Sequence, residues 1–478
     1  MICKGALVVD LDGTLTAADT LIESVIQVIK LSPLNVFRLL LWALRGRAAF
    51  KSEVANLARI SPEHLPYRTE VLDFLIAEKA SGRRLILATA AHRSIAEAVA
   101  DHLKLFDYVL ATDNNVNLKG HVKLDAIRAS TNDDFTYAGD SRADVPIWEG
   151  AKAAVLVGVR RDVANTVRRT TQIEKEFIYR VVGAREWFRA LRVHQWLKNL
   201  LLFVPLLTAF SFTQLPSLIS IAMAFVAFSL TASATYIVND LWDLESDRAH
   251  PRKRRRPFAS ARIPVLHGVS AAGILLLLGL TCALTVSTSF FAVLVGYVVL
   301  TSVYSWILKE IILLDVLTLS MLYTIRIFAG AVAIRVHTSS WLLAFSMFVF
   351  LSLALVKRCS ELVSLRQSGG TSVKGRDYRL DDLVVLWPLG VGAALSSVVV
   401  FELFANAADT QARYSFPDFL WLVSIALIYW LARLWIKTSR GEMHDDPIVY
   451  TIVDRGSRLI VAAMIAAMLI ARFVPVSL

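Results

Sequence analysis

The chain has 478 residues, 56% hydrophobic and only 19% charged, a balance that excludes a wholly soluble or disordered protein and points to an integral membrane protein. A formal charge of +11 would suit a nucleic-acid ligand, but in a membrane chain Lys and Arg gather in cytoplasmic loops whatever the ligand, so no nucleic-acid partner is expected. Cys3, Cys282 and Cys359 are too scattered for a disulfide framework or a CxxC site, and the step from Lys4 straight into an apolar strand run is not a signal-peptide pattern.

Charge is dense over residues 1–198 and absent from long stretches after Asn199, which predicts two domains. In the first, Val8-Val9-Asp10-Leu11-Asp12-Gly13-Thr14 is a buried-strand run ending in two carboxylates two residues apart, with a glycine where the backbone must turn. Leu85-Ile86-Leu87-Ala88-Thr89 is a second apolar strand, ending in a hydroxyl. A third, Phe135-Thr136-Tyr137-Ala138, runs into Gly139-Asp140-Ser141-Arg142-Ala143-Asp144, and Lys123 precedes it on an expected helix. Strand ends of a parallel α/β sheet meet at its carboxyl edge, where such folds bind ligands.

These four motifs, in order, resemble the phosphatase branch of the haloacid dehalogenase superfamily over about residues 5–165. The resemblance implies a Rossmann-like α/β domain over 1–165 with a helical cap over about 15–81. It also implies that Asp10 is a nucleophile forming an aspartyl-phosphate and Asp12 the general acid and base. Thr89 and Lys123 would hold phosphoryl oxygens, Lys119 being a competitor for the lysine role. Asp10, Asp12, Asp140 and Asp144 would make up the Mg²⁺ site. Within the cap, Val36-Phe37-Arg38-Leu39-Leu40-Leu41-Trp42-Ala43-Leu44 is unusually apolar, which fits either a cap resting on a membrane or an ordinary cap core. Residues 166–195, with Arg168, Arg169, Arg180, Arg185, Arg189 and Arg192, read as a basic linker and interfacial helix.

Nine membrane spans are expected over 196–478. Two lie between Asn199 and Asn239, divided at Gln214-Leu215-Pro216, and two between Ile263 and Leu308, divided at Ser287-Thr288-Ser289. Five more fall at about 312–334, 338–356, 384–405, 418–436 and 457–474. Lys and Arg concentrate in the loops after spans two, four, six and eight. That predicts a multi-pass protein of the cell (inner) membrane with the N-terminal domain in the cytoplasm and the C-terminal Val476-Ser477-Leu478 outside.

Span two closes on Asn239-Asp240-Leu241-Trp242-Asp243-Leu244-Glu245-Ser246-Asp247, whose helical spacing puts Asp240, Asp243 and Asp247 on one face. Clustered carboxylates near hydrocarbon are costly without a cation between them, and Mg²⁺ shared with a diphosphate is the economical explanation. This motif, the nine-span layout and Tyr304-Ser305-x-x-Leu308-Lys309 together resemble the UbiA intramembrane prenyltransferase superfamily. Where aromatic prenyltransferases of that family carry a second D-x-x-x-D, this chain has Lys357-Arg358-Cys359-Ser360-Glu361, which suits a substrate with more phosphate than one diphosphate.

Arg192-x-x-Gln195-Trp196-x-Lys198-Asn199, His250-Pro251-x-Lys253-x-x-Arg256-Pro257, Asp315, Arg326 and Lys357-Arg358-x-x-Glu361 look like the decaprenyl-phosphate phosphoribosyltransferase branch. By that resemblance the substrates are phosphoribosyl pyrophosphate and a polyprenyl phosphate, met among membrane lipids; the sequence does not speak to protein partners. Asn239, Asp240, Asp243 and Asp247 would ligate Mg²⁺ and the pyrophosphate, with Asp240 and Asp243 catalytic. Lys198, Arg256, Lys309, Arg326, Lys357 and Arg358 would hold phosphates, and Asp315 would contact ribose or metal, or pair with Arg326. The phosphatase-like domain would then remove the 5-phosphate left on the ribose. The rival reading is an aromatic-acceptor prenyltransferase fused to a phosphatase of separate substrate; a transporter or scaffold is a second, which an intact four-motif site argues against.

Overall fold

A computed structural model describes residues 5–113, 116–179, 182–369, 376–443 and 446–474; Cys3, Lys4, Arg180, Lys374 and Val476-Ser477-Leu478 lie outside the described residues. The chain divides into two compact units, one formed by residues 1–193 with 236–273 and the other by 194–235 with 274–478.

In the first unit β1 (Ala6–Val9), β2 (Leu85–His92), β3 (Tyr108–Thr112), β4 (Phe135–Gly139), β5 (Ala153–Val157) and β6 (Gln172–Phe177) form one parallel sheet in the order β3-β2-β1-β4-β5-β6. Side chains alternate between faces along each strand, and both faces are covered, so the inner strands read as unbroken apolar runs. Leu7, Val9, Leu85, Leu87 and Val155 enter one core. Val8, Ile86, Ala88, Tyr137 and Leu156 enter the other. Strand order reverses direction at β1, which pairs with β2 on one side and β4 on the other. The crevice at the carboxyl ends of these three strands is therefore the place for a ligand.

Between β1 and β2 stand α1 (Thr20–Leu31), α2 (Asn35–Leu44), α3 (Arg47–Leu57) and α4 (Thr69–Ala80). Asp19 starts α1 by accepting the Ile22 N–H at 3.1 Å. The first three helices share a small core of Val28, Leu39, Trp42, Val54 and Ala58 and make the cap. Val71 and Leu75 of α4 join the sheet core instead, so the cap proper is shorter than the expected 15–81. Only Asn35, Leu39 and Trp42 of α2 are buried.

The remaining helices of this part are α5 (Arg93–Leu103), α6 (His121–Thr131), α7 (Val145–Glu149), α8 (Arg161–Thr170) and α9 (Ala184–Ala190). The sheet runs past residue 165, because α8 and β6 occupy the start of the stretch expected as linker. β6 hides from a hydropathy reading because it is an edge strand carrying Glu174, Lys175 and Glu176. One of those charges is structural: Glu174 accepts from Arg83 at 2.7 Å, and Arg83 also reaches Glu78 at 2.8 Å, Thr136 at 2.6 Å and the Gly5 carbonyl at 2.9 Å.

The apolar half contains α10 (Val204–Thr208), α11 (Leu215–Trp242), α12 (Leu244–Ala249), α13 (Val265–Val286), α14 (Thr288–Trp306), α15 (Leu314–Ala333), α16 (Ser340–Gln367), α17 (Leu383–Ala405), α18 (Ala408–Gln411), α19 (Trp421–Ser439), α20 (Pro447–Val453) and α21 (Arg455–Phe473). Among the described residues, eight of these helices are long and apolar enough to cross a membrane. The first of the nine expected spans differs: it is a 3₁₀ stretch, Val193–Phe203, followed by the short α10. Pro205 lacks the N–H that would continue a helix from the preceding turn, and Phe210 turns the chain at φ +53°.

Both α11 and α16 have 28 residues, about 42 Å at 1.5 Å per residue, against a hydrocarbon thickness of about 30 Å. The carboxyl end of α11, with Asp240, thus has length to spare beyond the hydrocarbon, and so does α16 after Lys357 and Arg358. The core of the second unit lies between α15, α16, α17 and α19. There Trp435 donates to Ser352 at 3.0 Å over Gly390, where a Cβ would fall 2.2 Å from the indole.

Arg83→Met removes the guanidinium that ties Glu78, Glu174, Thr136 and the Gly5 carbonyl together, and should cost about 3 kcal/mol of stability in the sheet. Hydrogen exchange of the β1, β4 and β6 amides in the full chain measures this; unchanged protection would mean that Arg83 does not hold the edge.

Candidate active sites

Asp10 leaves β1 at the carboxyl edge, its own N–H bonded to the Ala138 carbonyl of β4 at 3.0 Å. Lys123, in the first turn of α6 and buried, places Nζ 2.9 Å from Asp10 Oδ1. The same Nζ donates to the Tyr137 hydroxyl at 2.6 Å, which donates to Asp144 Oδ1 at 2.9 Å. Asp144 is fixed further by Ser141, whose N–H and hydroxyl reach Oδ2 at 3.1 and 2.9 Å. Asp140 completes the group: carboxylate oxygens of Asp10, Asp140 and Asp144 lie within 4.8 Å of one another. The turn after Asp10 needs Gly13, at φ +77°, because a Cβ there would sit 2.2 Å from Asp140 Oδ2.

Burial raises the Asp10 carboxyl despite Lys123 beside it, and burial together with Asp10 and Asp144 pushes Asp140 up to about 8. Three carboxylates gathered this closely, two of them in a setting that disfavours their charged form, are a set that a divalent cation stabilises, so the three residues fit Mg²⁺. Asp12 stands apart from the trio and accepts from the Thr20 N–H and hydroxyl at 2.8 and 3.2 Å, which ties it to the cap's first helix. Burial, then Asp19, pushes Asp12 up to about 7, the range suited to passing a proton at neutral pH. Thr89 is fully buried within β2, where the strand register shifts before His92, and its hydroxyl accepts from the Ala91 N–H at 3.0 Å.

Asp10, Asp12, Lys123, Asp140 and Asp144 line a cavity of about 770 Å³; Thr89 is not on its wall. Lys119 is also on its wall, but Lys123 is the lysine against Asp10. Sequence reasoning missed Lys51 of α3, which reaches the Ala90 carbonyl at 2.6 Å and Asn117 at 2.8 Å on the same wall. No local motif marks it, because a cap lysine reaches the sheet edge only through the tertiary fold.

At the end of α11, Asp240 and Asp247 are buried and Asn239 and Asp243 half-buried. Arg256 joins the first two, donating to Asp240 at 3.0 Å and to Asp247 at 2.6 Å, and Arg192 donates to Asp240 while lying over the Tyr236 ring. Asp247 Oδ1 is buried with no hydrogen-bond partner among the described residues, and burial raises its carboxyl. Lys253 stands 3.9 Å from that oxygen, and a carboxylate oxygen without a hydrogen bond beside a second acid fits a cation, although Asp240, Asp243 and Asp247 are not gathered as closely as the Asp10 trio. Arg192 was quoted in the motif but not as a site residue; its role becomes visible only through its partner.

The second unit brings Lys198 and Lys357 together around Asp446, at 2.9 and 3.4 Å. Burial opposes it, but the two lysines hold Asp446 down to about 2. Asp446 belongs to none of the sequence motifs. Arg358 is buried and pairs with Asp315 at 2.6 Å and Glu361 at 2.6 Å, and Tyr378 donates to Asp315. The partner of Asp315 is thus Arg358 and not Arg326. Arg326 instead donates to Asn199 at 3.1 Å, to the Tyr297 hydroxyl at 3.0 Å and to the Leu322 carbonyl, between the rings of Phe228, Tyr297 and Tyr323. That environment braces helices, and it leaves Arg326 poorly placed to hold phosphate. Lys309 is half-buried on the turn Leu308–Glu310. Trp196 is hydrogen-bonded to Ser233 at 2.9 Å.

Residues 200–453 match the model of the UbiA prenyltransferase family, and residues 7–149 match that of haloacid dehalogenase-like hydrolases. The chain is 38% identical to the uncharacterized protein y4nM of Sinorhizobium fredii over 98% of its own length and 91% of that protein. It is 38% identical to the nodulation protein NoeC of Azorhizobium caulinodans over 57% of this chain and 88% of NoeC. It is also 30% identical to the decaprenyl-phosphate phosphoribosyltransferase of Mycobacterium tuberculosis over 58% of this chain and 91% of that enzyme.

Asp144→Asn weakens the hold on Ser141 and Tyr137 and lowers the charge beside Asp10. It should raise the Mg²⁺ concentration needed for half-maximal hydrolysis of a soluble aryl phosphate at least tenfold. An unchanged Mg²⁺ titration would take Asp144 out of the metal site.

Proposed function

The chain belongs to the UbiA prenyltransferase family and is a multi-pass membrane protein with a haloacid dehalogenase-like hydrolase domain, and on that premise we propose that it builds a polyprenyl-phosphoryl-ribose in two steps. In the first, a phosphate oxygen of a polyprenyl phosphate attacks the anomeric carbon of phosphoribosyl pyrophosphate. The new carbon–oxygen bond forms as the bond to pyrophosphate breaks, leaving a lipid-linked ribose that keeps its 5-phosphate. In the second, the hydrolase domain removes that phosphate.

The observation that carries this reading is the cation pair Lys198 and Lys357 around Asp446, with Lys357 on the part of α16 where the sequence trades an acidic motif for basic residues. A substrate with one diphosphate needs little of this positive charge; a pyrophosphate donor with a further phosphate, meeting a phosphate acceptor, needs it. The likeness to a decaprenyl-phosphate phosphoribosyltransferase supports the same substrates. In the acidic motif, Asn239, Asp240, Asp243 and Asp247 would hold Mg²⁺ and through it the pyrophosphate, and Arg256 and Arg192, paired with these acids, would supply charge for phosphate oxygens. Arg358 and Lys309 act as supporting charge.

In the hydrolase domain, an Asp10 carboxylate oxygen attacks the phosphorus of the ribose 5-phosphate and an aspartyl-phosphate forms as the ribose oxygen leaves. Asp12 gives that oxygen a proton and then takes one from the water that releases phosphate. Lys123 holds the phosphoryl oxygens. Mg²⁺ bound by Asp10, Asp140 and Asp144 would supply charge neutralisation for the transferring group. The concentration of Lys and Arg in the loops after spans two, four, six and eight supports a cytoplasmic hydrolase domain and an outer C-terminus at the cell membrane.

Membranes given Mg²⁺, polyprenyl phosphate and labelled phosphoribosyl pyrophosphate test both steps. Asp240→Asn should abolish labelled lipid, and Asp10→Asn should trap it as the 5-phosphate. Absence of labelled lipid with the unaltered chain would remove the phosphoribosyl reading, and normal dephosphorylation by Asp10→Asn would remove the assignment of the second step.

A further inference from the structure

The cavity around Asp10 is not walled by the α/β domain alone. Ala43 of α2 and Lys51 of α3 line it from the cap, and Ala261, Pro264, Leu266 and His267 line it from the loop before α13 and that helix's first turn. All of these residues belong to one compact unit. Because α13 is long and apolar enough to cross a membrane, one wall of the phosphatase cavity is the foot of a candidate span.

A buried ion pair holds the walls together. Arg248 of α12 donates to both carboxylate oxygens of Glu23 on α1, at 2.7 and 2.6 Å, with side chains 8% and 6% exposed. Its Nε donates to the Ala259 carbonyl at 3.0 Å, just before the segment that lines the cavity. Bidentate pairing of this kind fixes orientation as well as distance, so Glu23 and Arg248 set where the cap lies against residues 259–267. The two helices that contribute Ala43 and Leu266 also bear apolar surface without a protein partner: Phe37, Leu40, Leu41 and Leu44 of α2 are 61–85% exposed, and Leu266 itself is 56% exposed. Leu266 belongs to the candidate span α13, and Ala43 of α2 lines the same cavity, so lipid is the solvent that suits this apolar surface.

The geometry points to a phosphomonoester borne on a membrane-anchored lipid as the substrate class of the hydrolase site. Its phosphate lies at Asp10, and its stem runs past Leu266 and the apolar side of α2 into the bilayer. Glu23 and Arg248 are positioning residues that keep this path open. The inference rests on reading the α/β domain as a phosphatase, and not on the donor used by the transferase.

The test uses the full chain in lipid nanodiscs, with three probes: chemically prepared polyprenyl-phosphoryl-ribose 5-phosphate, a long-chain alkyl phosphate, and soluble ribose 5-phosphate. Both lipid probes should exceed the soluble one in kcat/KM by a hundredfold or more. Glu23→Gln and Leu266→Asp should each lower the lipid-to-soluble ratio at least tenfold, mainly through KM, and the exchange Glu23→Arg with Arg248→Glu should restore it. Equal hydrolysis of lipid and soluble probes overturns the inference, as does a Glu23→Gln variant that slows all three equally. Glu23-dependent hydrolysis of the alkyl phosphate by a chain that transfers no phosphoribose would uphold it while removing the phosphoribosyl reading.

Discussion

The ion pair of Lys123 with Asp10, 2.9 Å long and nearly removed from water, sets the pattern for the chemistry in this chain. A carboxylate taken out of water is costly unless a cation or several donors meet it. The fold supplies one each time: Lys123 for Asp10, Arg256 for Asp240 and Asp247, Lys198 and Lys357 for Asp446, Arg358 for Asp315. These contacts do two jobs. They let acids and bases be buried without an unmet charge, and they hold together groups that would otherwise repel or be drawn back to water.

The hydrolase site was largely legible in the sequence because each of its residues ends an apolar strand or opens a helix, and parallel strands deliver their ends to one edge. Asp10, Lys123, Asp140 and Asp144 meet there, while Thr89 lies buried within β2 and off the cavity wall. What stayed hidden depends on distance along the chain. Lys51 reaches the edge from the cap, Asp446 reaches Lys198 across 248 residues, and Glu23 finds Arg248 across 225. None of these pairings leaves a local pattern.

The membrane half was legible as apolar lengths and less so as geometry. Eight long helices fall where uncharged stretches predict them, whereas the first stretch is broken by Pro205 into a form that hydropathy does not distinguish from a helix. Arg326 illustrates a second limit. An ionisable residue inside a span is commonly functional, yet here three aromatic rings and Asn199 occupy its guanidinium, and packing accounts for it. Composition gives the charge; only the neighbours decide whether that charge is available.

Because the first unit is closed by residues 236–273, its assembly is bound to the order of synthesis. At roughly 5–20 residues per second, the 80 residues that separate Val193 from Gly273 take about 4–16 s to emerge. During that interval the sheet, the cap and Asp10 exist without the segment that lines their cavity, and Glu23 waits for its arginine. The ribosome thus finishes the hydrolase only after α11 has been handed to the membrane, so that a newly made chain acquires its complete second site no earlier than its acidic motif.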